Sequence, residues 1–137
     1  MGKTENIFVN LPVKDLNRSM AFFRELGFDF NPQFTDEKAA CMVISDRIYA
    51  MLLTEPFFQT FTTKPTADAT KQTEVIVALS AESREHVDEI GEKALSAGGS
   101  AAKEPVDHGF MYSRSFYDPD GHMWEVVYMD QSAIPQA

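Results

Sequence analysis

The chain has 137 residues, within the roughly 100–200 residues expected of one domain, and 44% hydrophobic with 24% charged residues is an ordinary globular composition. A long multidomain protein is therefore excluded. The net charge of −9 disfavours nucleic acid and anionic membrane surfaces as partners, and no apolar stretch approaches the ~20 residues of a membrane span. Because the single cysteine, Cys41, cannot form an internal disulfide and no signal-like segment opens the chain, we expect a cytoplasmic protein.

The charge is concentrated in the second half of the chain. Residues 1–72 carry 8 basic and 9 acidic groups, whereas residues 73–137 carry 4 basic and 12 acidic groups. Such a surface would attract a cationic small molecule. Net charge bears on solubility before function, so a solvated face that keeps the protein soluble is the other interpretation of this surface.

The first half predicts a strand, a helix and further strands. Helical spacing of apolar residues begins after Asp15, a typical N-cap, and ends at Gly27, a typical helix end. The predicted strands on either side of this helix cover residues 7–11, 28–34, 40–45 and 48–53.

The same order recurs about 68 positions later, which indicates an internal repeat. A helix is predicted between Ser83 and Gly98, and the strands around it cover residues 75–79, 101–104, 110–117 and 123–129. The sequence therefore predicts an α+β fold of two tandem βαβββ modules. The modules cover residues 1–54 and 73–130, with a linker or lid over 55–72 and a tail over 131–137.

Two segments of this repeat resemble a known family. They are LPVKDLNRSMAFFRELGF, residues 11–28, and FYDPDGHMWEVV, residues 116–127. Both resemble the glyoxalase, bleomycin-resistance and extradiol-dioxygenase (vicinal oxygen chelate) superfamily, and most of all its branch of predicted lactoylglutathione lyases. The resemblance implies a curved, cup-shaped mixed sheet that holds a small ligand, often over a divalent metal, with the modules paired within one chain or between the chains of a homodimer.

The resemblance also implies metal ligands on the first and last strand of each module. Those positions are held here by Phe8, Met51, Ile76 and Glu125, of which Glu125 alone has a metal-binding side chain. Nickel, zinc or iron needs several nitrogen or oxygen donors that converge. We therefore expect neither a metal nor another cofactor.

Glu125 is the candidate catalytic residue. Alternation along a strand places it on one face with Met123, Val127 and Met129, so an acid lies in an apolar row. This makes it a candidate general base or a counter-charge for a cationic ligand. Alternatively, its carboxylate reaches solvent or pairs with Arg114 on the neighbouring strand.

Two groups of residues are candidates for ligand binding. The first group consists of pocket walls on the first and last strands of the modules: Phe8, Asn10, Met51 and Ile76. The second group shares one face of the strand before that of Glu125 and consists of Tyr112, Arg114 and Phe116. An arginine beside two aromatic rings suits an anionic or planar group, although the same row is also compatible with an edge-strand surface.

Three functions remain open from the sequence. The first is a metal-independent binding protein for a small organic molecule, similar to the bleomycin-resistance branch. The second is an enzyme, either lactoylglutathione lyase-like or another lyase, isomerase or dioxygenase, with Glu125 as base or metal ligand. The third is a member that retains only a dimerisation role.

Overall fold

The computed structural model describes residues 2–133. The chain divides into two compact units, Met1–Asp68 (unit 1) and Ala69–Ala137 (unit 2), and each unit has its own β-sheet. From residue 134 onward, the tail predicted over 131–137 lies outside the described residues. Within residues 2–133, the helices are too short or too polar to traverse a lipid bilayer.

Unit 1 contains a mixed sheet with the strand order β1-β4-β3-β2, in which β1 runs parallel to β4 and the other pairs are antiparallel. Its elements in chain order are β1 (Ile7–Val13), α1 (Leu16–Glu25), β2 (Asp29–Phe30), a 3₁₀ turn (Pro32–Phe34), β3 (Ala39–Val43), β4 (Ile48–Thr54) and α2 (Glu55–Gln59).

Helix α1 covers one face of this sheet. It begins after Asp15, whose carboxylate accepts a hydrogen bond of 3.1 Å from the Arg18 N–H, and the chain leaves it through Gly27 with a φ of +102°. Phe22 and Phe23 on α1 are fully buried. Burial of each ring contributes roughly 1.5–3 kcal/mol to folding, so these two residues fix α1 on the sheet.

Two segments of unit 1 differ from the sequence prediction. The strand predicted over 28–34 is only two residues long, because Asn31 and Pro32 turn the chain: the Asn31 side chain accepts a hydrogen bond of 2.9 Å from the Gln33 N–H. The predicted linker begins with α2, where Glu55 and Pro56 occupy first-turn positions that suit an acid and a residue without an N–H.

Unit 2 repeats the arrangement with the order β5-β9-β8-β6, and β7 also pairs with β8. Strand β5 runs parallel to β9. The elements in chain order are β5 (Ile76–Ser80), α3 (Arg84–Ser96), β6 (Ser100–Ala101), β7 (Val106–Asp107), β8 (Met111–Tyr117), β9 (Met123–Met129) and a 3₁₀ turn (Gln131–Ala133).

Helix α3 covers one face of the unit 2 sheet as α1 does in unit 1. Ser83 accepts a hydrogen bond of 3.0 Å from the His86 N–H at its start, and Val87 on α3 is buried, as are Trp124 and Val126 on β9. The strand predicted over 101–104 is replaced by the separate short strands β6 and β7, because Pro105 between them cannot donate to the ladder. The predicted α+β fold and its two modules are confirmed.

Candidate functional site

A cavity of ≈ 560 Å³ lies on the face of the unit 1 sheet that points away from α1. We call it the unit 1 cavity. Strands β1, β3 and β4, the residue before β1 and the turn after β2 supply its walls. The lining residues are Asn6, Phe8, Asn10, Asn31, Phe34, Cys41, Tyr49 and Met51.

The strand register explains why these side chains meet. Phe8 on β1 lies opposite Tyr49 on β4, and Asn10 lies opposite Met51, which in turn lies opposite Cys41 on β3. Since side chains alternate along a strand, all five point to the same face. The structure thus brings together three residues singled out from the sequence, Phe8, Asn10 and Met51.

Sequence reasoning missed the other members of this cavity. Strand alternation could have identified Tyr49 from the sequence, because Tyr49 is two residues before Met51 on the same strand. Asn31 and Phe34 gave no such signal, since both belong to the turn that replaces the predicted strand. Their positions depend on the hydrogen bond between the Asn31 side chain and the Gln33 N–H.

The cavity walls are apolar or uncharged. Phe8 and Tyr49 stack with ring centroids 5.0 Å apart and planes 11° apart. The Tyr49 hydroxyl donates a hydrogen bond of 2.6 Å to the Asp46 carbonyl oxygen, which fixes the ring. Burial raises the pKa of the Cys41 thiol, so this side chain remains a neutral, polarisable part of the wall.

Glu125 lies in unit 2, on the face of the sheet that points away from α3. Its neighbours in the register are Ala78 on β5 and Ser115 on β8, and its side chain is partly buried. Its carboxylate forms no hydrogen bond or ion pair with any residue between 2 and 133. Ile76 is on the same face, two residues before Ala78, and its side chain is 50% exposed.

Tyr112, Arg114 and Phe116 lie on the opposite face of the unit 2 sheet, against α3. In the register, Ser115 faces Glu125, whereas Arg114 faces Val126, so alternation turns the arginine away from the glutamate. Arg114 instead pairs with Asp88 and Glu92 on α3, each at 3.3 Å. The pairing with Glu125 that the sequence left open is therefore not formed, and Tyr112, Arg114 and Phe116 lie on the opposite face of the unit 2 sheet from Glu125 and Ile76.

A polar network connects α3 to the strands beneath it. The Tyr112 hydroxyl donates a hydrogen bond of 2.5 Å to Asp88, which raises the pKa of the phenol. The Arg84 guanidinium lies 4.5 Å from the centre of the Tyr112 ring and hydrogen-bonds Asp107, which lowers the pKa of that carboxyl. These contacts give Tyr112 and Arg114 a structural role in holding the helix.

The turn between β8 and β9 contains a buried carboxylate, that of Asp118. It accepts hydrogen bonds from the Asp120 N–H (2.9 Å), the His122 N–H (3.0 Å) and the Trp124 indole N–H (2.9 Å). Burial raises the pKa of Asp118 in spite of these donors and the nearby His122, which lower it. Through its three hydrogen bonds, Asp118 stabilises the turn of the FYDPDGHMWEVV segment.

A divalent metal does not fit the side chains at the positions implied by the family resemblance. Phe8, Met51 and Ile76 offer a ring, a thioether and a hydrocarbon, and Glu125 supplies the remaining carboxylate. Among residues 2–133 no group of three or more His, Cys, Asp or Glu side chains is placed to hold a metal ion. Zinc, nickel or iron needs more donors than this set provides.

The comparisons with known proteins agree on one family. The model of the Glyoxalase/Bleomycin resistance protein/Dioxygenase superfamily matches residues 7–126. No curated protein sequence matches the chain significantly.

Solved structures are similar over most of the chain. A hypothetical protein, SA1046 from S. aureus, is 29% identical, with a TM-score of 0.78 over 93% of this chain and 95% of that one. The fosfomycin resistance protein FosX from Listeria monocytogenes is 22% identical, with a TM-score of 0.66 over 96% and 93%. A lactoylglutathione lyase from Agrobacterium tumefaciens is 16% identical, with a TM-score of 0.68 over 98% and 100%. At these identities the last two show the shared fold alone.

Proposed function

Because the chain belongs to the glyoxalase/bleomycin resistance protein/dioxygenase superfamily, we propose that it binds a small organic molecule in the unit 1 cavity without a metal. The observation that carries this proposal is the cavity itself. Its volume of ≈ 560 Å³ is within the roughly 300–1,000 Å³ of ligand pockets. Apolar walls with a few orienting polar groups are typical of such sites.

The residues at the family's metal positions support metal-free binding. Phe8 and Met51, which hold two of these positions, belong to the cavity wall instead. An aromatic ring and a flexible thioether contribute apolar contact area to a bound molecule. We expect the ligand to bind equally well after exhaustive chelation.

A titration with N-phenylnaphthylamine, an uncharged aromatic dye that brightens in apolar sites, tests this proposal. We expect saturable binding of one dye per chain, with the same affinity before and after dialysis against EDTA. Asn10→Arg should abolish binding, because Asn10 is an exposed lining residue and the longer cationic side chain would enter the cavity.

The matched control for this titration is Ile7→Arg. It introduces the same side chain on the same strand, at a position that is 53% exposed and outside the cavity wall, so dye binding should be unchanged. Absence of dye binding by the unsubstituted chain, or equal binding by Asn10→Arg, would refute the proposal. A requirement for added zinc or nickel would refute its metal-free part.

A second candidate function uses Glu125 as a general base. The supporting observation is that this partly buried carboxylate has no hydrogen-bond or ion-pair partner among residues 2–133. Such a group is free to remove a proton from a substrate carbon and return it to the neighbouring carbon, as an isomerisation within a lyase reaction requires.

An assay for lactoylglutathione formation from methylglyoxal and glutathione tests this candidate. We expect Glu125→Gln to abolish turnover while the circular dichroism spectrum and the melting temperature stay unchanged. Ser115→Ala on the neighbouring strand is the control, since it alters the adjacent polar group but keeps the carboxylate. If the unsubstituted chain shows no turnover, with or without added divalent metal, this candidate is rejected.

A further inference from the structure

The aromatic pair in the unit 1 cavity presents a ring that is only partly covered. Phe8 and Tyr49 are cross-strand neighbours whose planes differ by 11°, and Phe8 remains 53% exposed. Tyr49 cannot turn away, because its hydroxyl is hydrogen-bonded to the Asp46 carbonyl. A further flat ring can continue this offset stack at little entropic cost, since the existing rings are already ordered.

The polar side chains of the same cavity are uncharged. The wall residues include the amides of Asn6, Asn10 and Asn31, and none of the described side chains that line the cavity carries a formal charge. The Asn31 amide oxygen already accepts from the Gln33 N–H, which leaves its NH₂ group as a donor. Amides complement carbonyl, hydroxyl and amine groups, but they do not balance the charge of an ion that leaves water.

Sulfur atoms supply a further preference for rings. Cys41 and Met51 are cross-strand neighbours on β3 and β4, and both line the cavity. Thioether and thiol sulfurs make favourable contacts with aromatic edges. Burial raises the pKa of Cys41, so this thiol adds no negative charge that could attract a cation at neutral pH.

We infer that the ligand of the unit 1 cavity is an uncharged, planar aromatic or heteroaromatic molecule with hydrogen-bonding substituents. This inference rests on the proposed binding function and specifies its ligand class. It differs from the cationic ligand that the acidic second half of the sequence suggests, because none of the described residues that line the cavity is acidic. The side chains of the cavity wall, not the net charge of the chain, determine which class of ligand binds.

Competition against bound N-phenylnaphthylamine tests both parts of the inference with one ring system. The competitors are naphthamide (uncharged), naphthoate (anionic), naphthylmethylammonium (cationic) and decahydronaphthamide (uncharged but not planar). We expect naphthamide to displace the dye at a concentration at least about tenfold lower than either ion, because the ions lose hydration without a counter-charge. The saturated amide should be weaker by roughly three- to tenfold, the range of a lost aromatic contact.

An engineered thiol reports where the competitor binds. Asn10→Cys in a Cys41→Ser background places the chain's single cysteine at an exposed residue of the cavity wall, so its alkylation by N-ethylmaleimide should slow when naphthamide is bound. Phe8→Leu should remove the preference for the planar amide while keeping apolar bulk. Ile7→Leu, an equally exposed neighbour outside the cavity, is the matched control and should preserve the preference.

The outcomes separate this inference from the function on which it rests. Equal displacement by the ions, or by the saturated amide, overturns the inference, while saturable dye binding that Asn10→Arg abolishes keeps the proposed function. Dye binding without protection of the Asn10→Cys thiol places the molecule elsewhere and overturns both. If the chain binds neither dye nor competitor, both are likewise rejected.

Discussion

The side chain of Asp118 accepts three N–H donors inside one buried turn. Asp118→Ala would leave these donors unsatisfied, and we expect a loss of about 3 kcal/mol in the free energy of unfolding. Asp118→Asn should cost less, about 1–2 kcal/mol, because its amide oxygen still accepts from the turn although its NH₂ group opposes the indole N–H. Urea unfolding monitored by circular dichroism measures both losses.

The control for these variants is Asp46→Ala. Asp46 occupies the turn between β3 and β4, the counterpart in unit 1, and its side chain is exposed. We expect a change of no more than about 0.5 kcal/mol there. Similar losses at both positions would show that Asp118 has no special role.

The same carboxyl predicts a pH dependence. Its pKa is raised above the ordinary value of 3.8 in the folded chain, mainly by burial, so the folded state holds this proton more tightly than the unfolded state. Its stabilising contribution is present below pH 3.8 and is lost as the pH rises through the folded pKa. The free energy of unfolding of the unsubstituted chain minus that of Asp118→Asn should therefore decrease as the pH rises above about 3.8. An increase would contradict the assigned direction.

At the residue scale, the sequence predicts those lining residues of the cavity that alternate along a strand, but not the others. Phe8, Asn10 and Met51 lie together because each is an alternate residue of a correctly located strand. Alternation also predicts Tyr112 and Arg114 as ligand-binding residues, whereas in the structure both contact α3. Alternation defines two faces of a strand but does not say which face a helix covers. Only the packing of α3 decides which face of β8 is covered by the helix.

At the element scale, Gly91 in the middle of α3 makes room for a side chain from β8. A Cβ atom there would be 2.8 Å from Nε and 2.9 Å from Cζ of Arg114. We expect Gly91→Ala to give no stabilisation in the unsubstituted chain, because the added methyl group would push the Arg114 guanidinium away from its carboxylate partners on α3. In an Arg114→Met background the same change should stabilise by about 1 kcal/mol, the helix propensity difference.

A double-mutant cycle on these two positions measures the coupling. Thermal and urea unfolding of the two single variants, the double variant and the unsubstituted chain supply the four free energies. Additive effects would show that Arg114 moves aside freely and that the glycine has another origin.

Helices and long strands were predictable from the sequence, whereas short strands were not. Asp15 and Ser83 cap α1 and α3 as their positions indicate, and β9 has the bounds that its apolar run predicts. The predictions of strands over 28–34 and 101–104 fail next to Pro32 and Pro105. Proline has no N–H to donate to a neighbouring strand, so it ends the strand although the flanking residues favour one. Pairing partners, which decide the ends of two-residue strands, are not encoded locally.

At the scale of the whole molecule, we predict a homodimer. Among the described residues of unit 2, β5 lies at one end of the sheet and pairs with β9 alone. Val75, the residue before β5, and Ile76, its first residue, are 44% and 50% exposed. Exposed apolar residues beside a strand edge favour association with another chain. Light scattering should give twice the chain mass of 15.4 kDa.

Val75→Lys should shift this mass towards that of one chain, whereas Leu95→Lys on α3, at a residue 38% exposed, should not. Added salt should strengthen the dimer, because each chain carries a net charge of −9 and screening weakens the repulsion between two copies. A mass of one chain at all concentrations and salt levels would disprove the prediction.

The sheet pairings have a consequence for synthesis on the ribosome. In each unit the first strand pairs with the last long strand, β1 with β4 and β5 with β9. The described pairings of the unit 1 sheet all lie within residues 7–54. The nascent chain can therefore complete the unit 1 sheet once Thr54 has emerged, while the second half is still being translated. Since domains generally fold as units from the N-terminus, a synonymous change that slows elongation after residue 68 should favour correct folding.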